Sequence, residues 1–280
     1  MESYDAKSVA AKKSQVHKSE SERPIMRVVS YNILTGGEGR ADPLIEVLLA
    51  QRADVVGLVE AEDPTVLERI GRRTGMDYVQ AVGKEGGASA LLSRFPIRDS
   101  INHALLRNGL SKSFLQASVT DPAGIVWNFG VLHLHARAGE EDERKREAEL
   151  DVVLKVFEPL RNAKTPHFLL GDFNANSPVQ KIDLARCKPK TREQAAANGG
   201  TIPRRAIGKL LNAGYVDTYH SSDAKAAETQ GTFTTQFPGQ RVDYIFAHSI
   251  APNRIKSAWI EYDRLAKYAS DHFPIGAEIE

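Results

Sequence analysis

Beginning at Met26, the chain switches repeatedly between β-branched runs of period two and stretches whose apolar residues recur at helical spacing. The alternation continues to the C-terminal residues without an internal repeat or a low-complexity linker. Such a pattern predicts many strands with a few outer helices, arranged as one α/β domain over residues 26–280. Its two-sheet core would be flanked by helix layers. The 280 residues are ample for a sizeable core.

The expected strands are Met26–Ile33, Asp54–Val59, Ala88–Leu92, Phe114–Thr120, Ile125–Leu134, His167–Leu170, Thr232–Thr235, Val242–Ala247, Ile255–Tyr262 and Ile275–Ile279. Asp121-Pro122-Ala123-Gly124 reads as a turn between two of them. Helices are expected after Asp42-Pro43 and Asp63-Pro64, where a cap precedes a proline suited to the first helical position. Glu140–Glu158 is the clearest helix, with Leu150, Val153, Leu154 and Phe157 on one face and Pro159 as its stop. Its first half pairs Glu140 with Arg144, Glu141 with Lys145 and Asp142 with Arg146 at i,i+4, the pattern of a solvated, self-paired face. Lys181–Lys209 reads as a basic loop.

Lys and Arg number 37 against 36 Asp and Glu, a formal net charge of +1, and hydrophobic residues make up 41%. This balance excludes a largely disordered, collagen-like or coiled-coil chain, and argues against a polycation that binds nucleic acid through bulk charge. The lone Cys187 excludes an internal disulfide and any cysteine-based metal site, and is expected as a buried or incidental thiol. No run of about 18 apolar residues occurs, so no transmembrane segment is expected. Residues 1–25 are polar and lack an apolar signal core, so they read as a solvated tail or leader, and a reducing, cytoplasmic setting is the default. No obligate protein partner is implied.

Several polar residues stand where a strand has just run out of apolar residues. They are Asn32 in SYNIL, Glu60 in GLVEAE, Asp172 and Asn174 in LLGDFNA, and Asp271 with His272 in ASDHFP. Each alone is as readily a cap or a turn residue. Together they suggest a hard-cation site, because Mg²⁺ takes one or two carboxylates and completes its shell with water and substrate phosphate. Proton chemistry would come from histidines. His133 and His135 share a strand face, and Asp243 is an acid in the apolar strand RVDYIF, so it needs a buried partner. A histidine suits it, since the carboxylate would fix the ring tautomer. His17, His103, His167, His220 and His248 have no such company and are expected to be exposed or satisfied in the core.

Taken in order, SYNIL, DVVGLVEAE, LLSRFPI, VLHLHA, LLGDFNANSP, RVDYIF and ASDHFPI resemble the endonuclease/exonuclease/phosphatase superfamily, the deoxyribonuclease I-like metal-dependent phosphohydrolases. The resemblance covers Met26 to Ile279 and implies a four-layer α-β-β-α sandwich of two mixed sheets. It implies Glu60, Asn32 and Asp271 at a Mg²⁺ (or Mn²⁺) ion, with Glu62 as the alternative to Glu60. It further implies His272 as general base backed by Asp243, and Asp172 and Asn174 positioning water and the scissile phosphate. His133 would contact the phosphate or protonate the leaving oxygen, with His135 as its alternate. Arg94 matches the Ser-Arg-Phe-Pro run, where it would be either a phosphate contact or a solvated arginine.

The implied activity is in-line attack of water on a phosphodiester, most readily as a nuclease-like phosphodiesterase with nucleic acid as a candidate substrate. The Cys-Asp-Arg motif of inositol-polyphosphate 5-phosphatases is absent, and the His-Leu at His133 departs from exonuclease III-like abasic endonucleases. Two other readings remain in the sequence. One is a phosphatase or phosphodiesterase for a small molecule or lipid head group. The other is a catalytically silent binding module, which would be expected to lack site residues that this chain has. The basic stretch Lys181–Lys209 would flank the site if the substrate is a polymer.

Overall fold

The computed structural model describes residues 25–84 and 86–280, so the expected polar tail lies, apart from Ile25, outside the described residues. The strands in chain order begin with β1 (Met26–Asn32), β2 (Val55–Val59), β3 (Asp77–Val82), β4 (Ala88–Ser93), β5 (Ile97–Asn102) and β6 (Phe114–Thr120). They continue with β7 (Val126–His133), β8 (His167–Asp172), β9 (Val216–Asp217), β10 (Asp243–His248), β11 (Ile255–Ile260) and β12 (Ile275–Ile279). The helices are α1 (Ala41–Gln51), α2 (Pro64–Thr74), α3 (His103–Leu106), α4 (Glu140–Asn162) and α5 (Pro189–Ala197). Four shorter ones follow: α6 (Arg205–Asn212), α7 (Thr218–Ser222), α8 (Ala224–Thr229) and α9 (Arg264–Ala269).

Two six-stranded mixed sheets result, ordered β11-β12-β1-β2-β4-β3 and β5-β6-β7-β8-β10-β9. Alternation along the central strands explains how they stack. Phe129 and Val131 of β7, with Phe168 and Leu170 of β8, join the core of the first sheet, while Leu132 and Leu169 point the other way. That second face is covered by Leu150, Val153 and Phe157 of α4 and by Ile207 and Leu210 of α6. The outer face of the first sheet is covered by α1 and α2 through Leu44, Leu48, Leu67 and Ile70. Layers therefore run helix, sheet, sheet, helix, the four-layer sandwich expected. Each such fully buried side chain contributes about 1.5–3 kcal/mol. Close approach of the layers demands glycine at two points. A Cβ on Gly57 would lie 2.6 Å from Leu170 Cδ1, and one on Gly130 would lie 2.9 Å from Phe157.

Several local expectations are corrected. α1 starts at Ala41, so Asp42 sits in its first turn, and Arg40 precedes it without a side-chain cap. Pro159 does not stop α4, which runs to Asn162. A proline there removes one backbone donor in a helix already fixed by the burial of Val153 and Phe157. Lys181–Lys209 is not a loop, since it contains α5 and the start of α6. Thr232–Thr235 forms no strand; Phe233 makes only single bridges to Gln240 and His272. The edge strands β3 and β5 are not evident in the sequence because neither carries a clean alternation: β5 is mostly polar and exposed, and β3 mixes apolar and polar residues of which only Ala81 is buried. No helix among the described residues is long and apolar enough to cross a membrane.

Candidate active site at the rim of the two sheets

Strand direction brings the polar strand-end residues to one rim. β1 and β2 are parallel with Asn32 opposite Val59, so Asn32 and the next residue, Glu60, leave the first sheet together. β7 and β8 are parallel with His133 opposite Asp172. β10 runs antiparallel to β8 and places Asp243 opposite the same Asp172. β12 is antiparallel to β1, so Asp271 and His272, just ahead of it, return to this rim.

Backbone conformation fixes the details. Gly171 has φ 136°, and a Cβ there would lie 2.0 Å from the carbonyl oxygen of Leu132, which accounts for glycine before Asp172. Glu60 adopts φ 55°, a left-handed conformation that costs a non-glycine residue energy and turns its side chain back over the rim. There Glu60 Oε2 accepts from Thr35 N at 2.9 Å, and its own carbonyl accepts from Gly36 N at 2.9 Å. Asn174, also left-handed at φ 48°, donates Nδ2 to Leu134 O at 3.0 Å, while its amide donates to Asp172 Oδ1 at 2.8 Å.

Asn32 lies at the centre. Its Nδ2 is 3.1 Å from Glu60 Oε1, 3.2 Å from Asp172 Oδ2 and 3.4 Å from His272 Nε2. Its Oδ1 faces away and accepts from Leu34 N at 3.0 Å. Asn32, expected among the residues at a metal, thus turns its Nδ2 rather than its Oδ1 toward the carboxylates. His272 Nδ1 is 2.8 Å from Asp243 Oδ2, and its Nε2 is 3.8 Å from Asp172 Oδ2. The ring lies 4.5 Å from that of Phe233.

Burial disfavours a charge on His272, but Asp243 and then Asp172 outweigh it and push the pKa up to about 10. For Asp172, burial dominates and lifts the carboxyl to about 7, against the pull of His272. Burial likewise raises Asp271, with Glu60 and Asp243 adding repulsion. His133 is pressed well below its ordinary value by burial and then by Lys112, whose Nζ stands 2.6 Å from His133 Nε2. The His133 imidazole is thus neutral and accepts from the ammonium.

This donor set suits a hard divalent cation. Glu60 and Asp271 offer carboxylate oxygens over the cleft, no thiolate is near, and Asp271 Oδ1 is buried without a hydrogen-bond partner. Asp172, Asp243 and His272 also have atoms all within 4.8 Å of one another. His272 Nδ1 and Asp243 Oδ2 are committed to each other, however, which leaves Glu60 and Asp271 as the freer pair.

Arg94 and the two alternates, Glu62 and His135, each have other partners. Arg94 sits at the opposite end of β4, beside the start of β2, and donates to Ala53 O at 2.9 Å. Six residue steps along the strand separate it from Glu60, roughly 20 Å at about 3.3 Å per residue, so it stands away from the cluster around Asn32. Glu62 accepts from Ala88 N at 3.0 Å, and His135 pairs with Asp142 at 2.8 Å. Of the basic stretch, Arg204 binds Pro178 O, Arg205 pairs with Glu140 and Glu147, and Lys209 pairs with Asp151. Only Lys188 and Lys190 face the cleft. Those two belong to the basic stretch that the sequence marks, whereas Lys112 does not stand out there, because a single lysine outside a motif carries no signal.

Two depressions meet at Glu60, Lys112 and His133. One, of about 650 Å³, extends over Thr35, Glu38, Glu62 and Asp63. The other, of about 330 Å³, reaches Arg137, Asp172, Lys188, Lys190 and His272.

Comparison with known proteins bears on the family and the fold. The profile of the Endonuclease/Exonuclease/phosphatase family matches residues 29–272. The fold is similar to that of an AP endonuclease from Archaeoglobus fulgidus, with TM-score 0.67 and 19% identity over 91% of this chain and 99% of that one. It is also similar to the Neisseria 3′ phosphatase NExo bound to a product DNA hairpin, with TM-score 0.68, 19% identity and the same coverages. An endonuclease/exonuclease/phosphatase from Beutenbergia cavernae has TM-score 0.67 and 18% identity over 92% of this chain and 72% of that one. At these identities the likeness concerns the fold. The comparison with curated proteins gave no match.

Proposed function

The chain belongs to the endonuclease/exonuclease/phosphatase family, and from that premise we propose that it is a divalent-cation-dependent phosphodiesterase of the nuclease type, cleaving by in-line attack of water on phosphorus. The observation that carries the reading is the convergence on Asn32 Nδ2 of Glu60, Asp172 and His272, three groups delivered by different strands of both sheets.

Glu60 and Asp271 would hold Mg²⁺ or Mn²⁺, with Asn32 bracing Glu60. Such an ion supplies charge neutralisation at the phosphoryl oxygens. Asp172 and His272, 3.8 Å apart, form with Asp243 the set that handles the proton of the attacking water. Asn174 orders the turn that carries Asp172. Lys112, aimed by neutral His133, donates to a phosphate oxygen or to the leaving oxygen. An acid–base group contributes about 10²–10⁴-fold to the rate, and a fixed oxyanion donor about 10²–10³-fold.

The test is hydrolysis of bis(p-nitrophenyl) phosphate with Mg²⁺ or Mn²⁺. Activity should vanish with a chelator and return with the ion. Glu60→Gln, Asp172→Asn and His272→Ala should each lower kcat at least roughly 10²-fold with unchanged circular dichroism. A variant that turns over like the wild type leaves the mechanism. Failure to hydrolyse any phosphodiester with either ion would reject the reading.

A further inference from the structure

The two depressions that meet at Glu60, Lys112 and His133 differ in charge away from the central cluster: beyond Asp172 and Asp271 the smaller is lined by cations, and the larger by carboxylates. The smaller is lined by Lys188 and Lys190 from the start of α5 and by Arg137 from the turn after β7. Neither Arg137 nor Lys190 has an ion-pair partner among the described residues. The backbone of exposed Arg137 has φ 81°, and its carbonyl accepts from the buried Arg146, which anchors the turn that carries the side chain. Lys188 is half-buried, with Nζ 4.2 Å above the face of Phe233, whose ring also contacts His272. Burial pulls the Lys188 ammonium down, Asp271 raises it, and Lys190 lowers it further; its place over Phe233 in the lining of the smaller depression puts the cation beside the cluster. The larger depression bears Glu38, Glu62 and Asp63 beyond Glu60, with Lys112 at the junction.

We propose that Arg137, Lys188 and Lys190 form a second phosphate subsite on one side of the scissile group, and that the acidic wall opposite rejects a phosphate on the other side. The substrate class is then a phosphodiester whose further phosphates lie on one side only, as at a nucleic-acid strand end. An internal linkage would force a phosphate against Glu38, Glu62 and Asp63. The inference rests on the phosphodiesterase reading above and adds to it a polarity.

The test uses a linear oligothymidylate with a 5′-terminal phosphate, a second with a 3′-terminal phosphate, a closed circle of the same length, and bis(p-nitrophenyl) phosphate as a substrate without further phosphates. One linear form should be processed from its end at least roughly 10-fold faster than the circle is opened. Arg137→Ala and Lys190→Ala should each raise KM for that oligonucleotide about 3- to 10-fold and leave bis(p-nitrophenyl) phosphate turnover unchanged. Binding of the labelled oligonucleotide without metal, read by fluorescence anisotropy, should weaken alike. Its salt dependence should flatten by about 0.7 in the slope of log K against log salt for each phosphate no longer neutralised. Equal cutting of circle and linear strands overturns the proposal while sparing the phosphodiesterase reading, as do unaltered binding in both variants and equal losses on both substrates. Hydrolysis of neither kind of substrate overturns that reading itself.

Discussion

His167 and His272 are both buried, yet their surroundings move them in opposite directions. His272 is gripped by Asp243 and faces Asp172, so it keeps its proton. His167 meets no acid. Its Nδ1 is 2.8 Å from Thr165 O and its Nε2 is 2.9 Å from Tyr215 OH, partners that a neutral ring satisfies by donating from one nitrogen and accepting at the other. Burial, the largest influence, lowers it to about 4. The unfolded chain would titrate His167 near 6.5, so between that pH and about 4 the unfolded state binds more protons. The stability contributed is complete above about 6.5 and is lost as pH falls, up to roughly 3 kcal/mol. His167→Gln should therefore show a shallower loss of unfolding free energy from pH 6.5 to 4 in urea titrations. Parallel curves for variant and wild type would contradict this account of the residue.

At the scale of the element, α4 does more than cover the second sheet. Arg146 is buried and pairs with Glu143 at 2.7 Å, and its Nη1 donates to the carbonyls of His135, at 3.0 Å, and Arg137. Glu143 also accepts from Ala206 N at 2.7 Å, and Glu149 accepts from Ser111 N at 3.0 Å and His135 N at 2.7 Å. The inner face of the helix thus satisfies backbone groups of segments bordering the cleft. Arg146→Met should cost about 3–5 kcal/mol in urea unfolding, because it leaves a buried carboxylate unpaired. Adding Glu143→Gln should recover part of that loss. A single-variant cost below about 1 kcal/mol would show the pair to be unimportant. The sequence disclosed this helix but not its inner charges. Glu140–Arg144 and Glu141–Lys145 are surface pairs as their spacing suggests, whereas Arg146 turns inward to Glu143 and Asp142 takes His135 instead. A charge reads the same in a sequence whether water or a carbonyl solvates it. Central strands such as β6 were legible because they are buried on alternate or both faces, and β3 and β5 were not because edge positions tolerate polar residues.

For the whole molecule, the parallel pairs β1/β2 and β7/β8 make the site. Each sheet contributes adjacent C-terminal strand ends, and the antiparallel β10 and β12 return Asp243, Asp271 and His272 to the same rim. That convergence explains why polar residues at strand ends are informative in the sequence, and why Arg94, beyond the far end of β4, stands apart from them. Both sheets must stay in register for Asn32 to reach Glu60 and Asp172 together. The most direct test of the rim as a cation site is an Mn²⁺ binding isotherm on the chelator-treated full chain, read by the electron paramagnetic resonance of the free ion. Binding to the wild type should be lost in a folded Glu60→Gln/Asp271→Asn variant, whereas equal binding by both proteins would place the ion elsewhere and contradict the account.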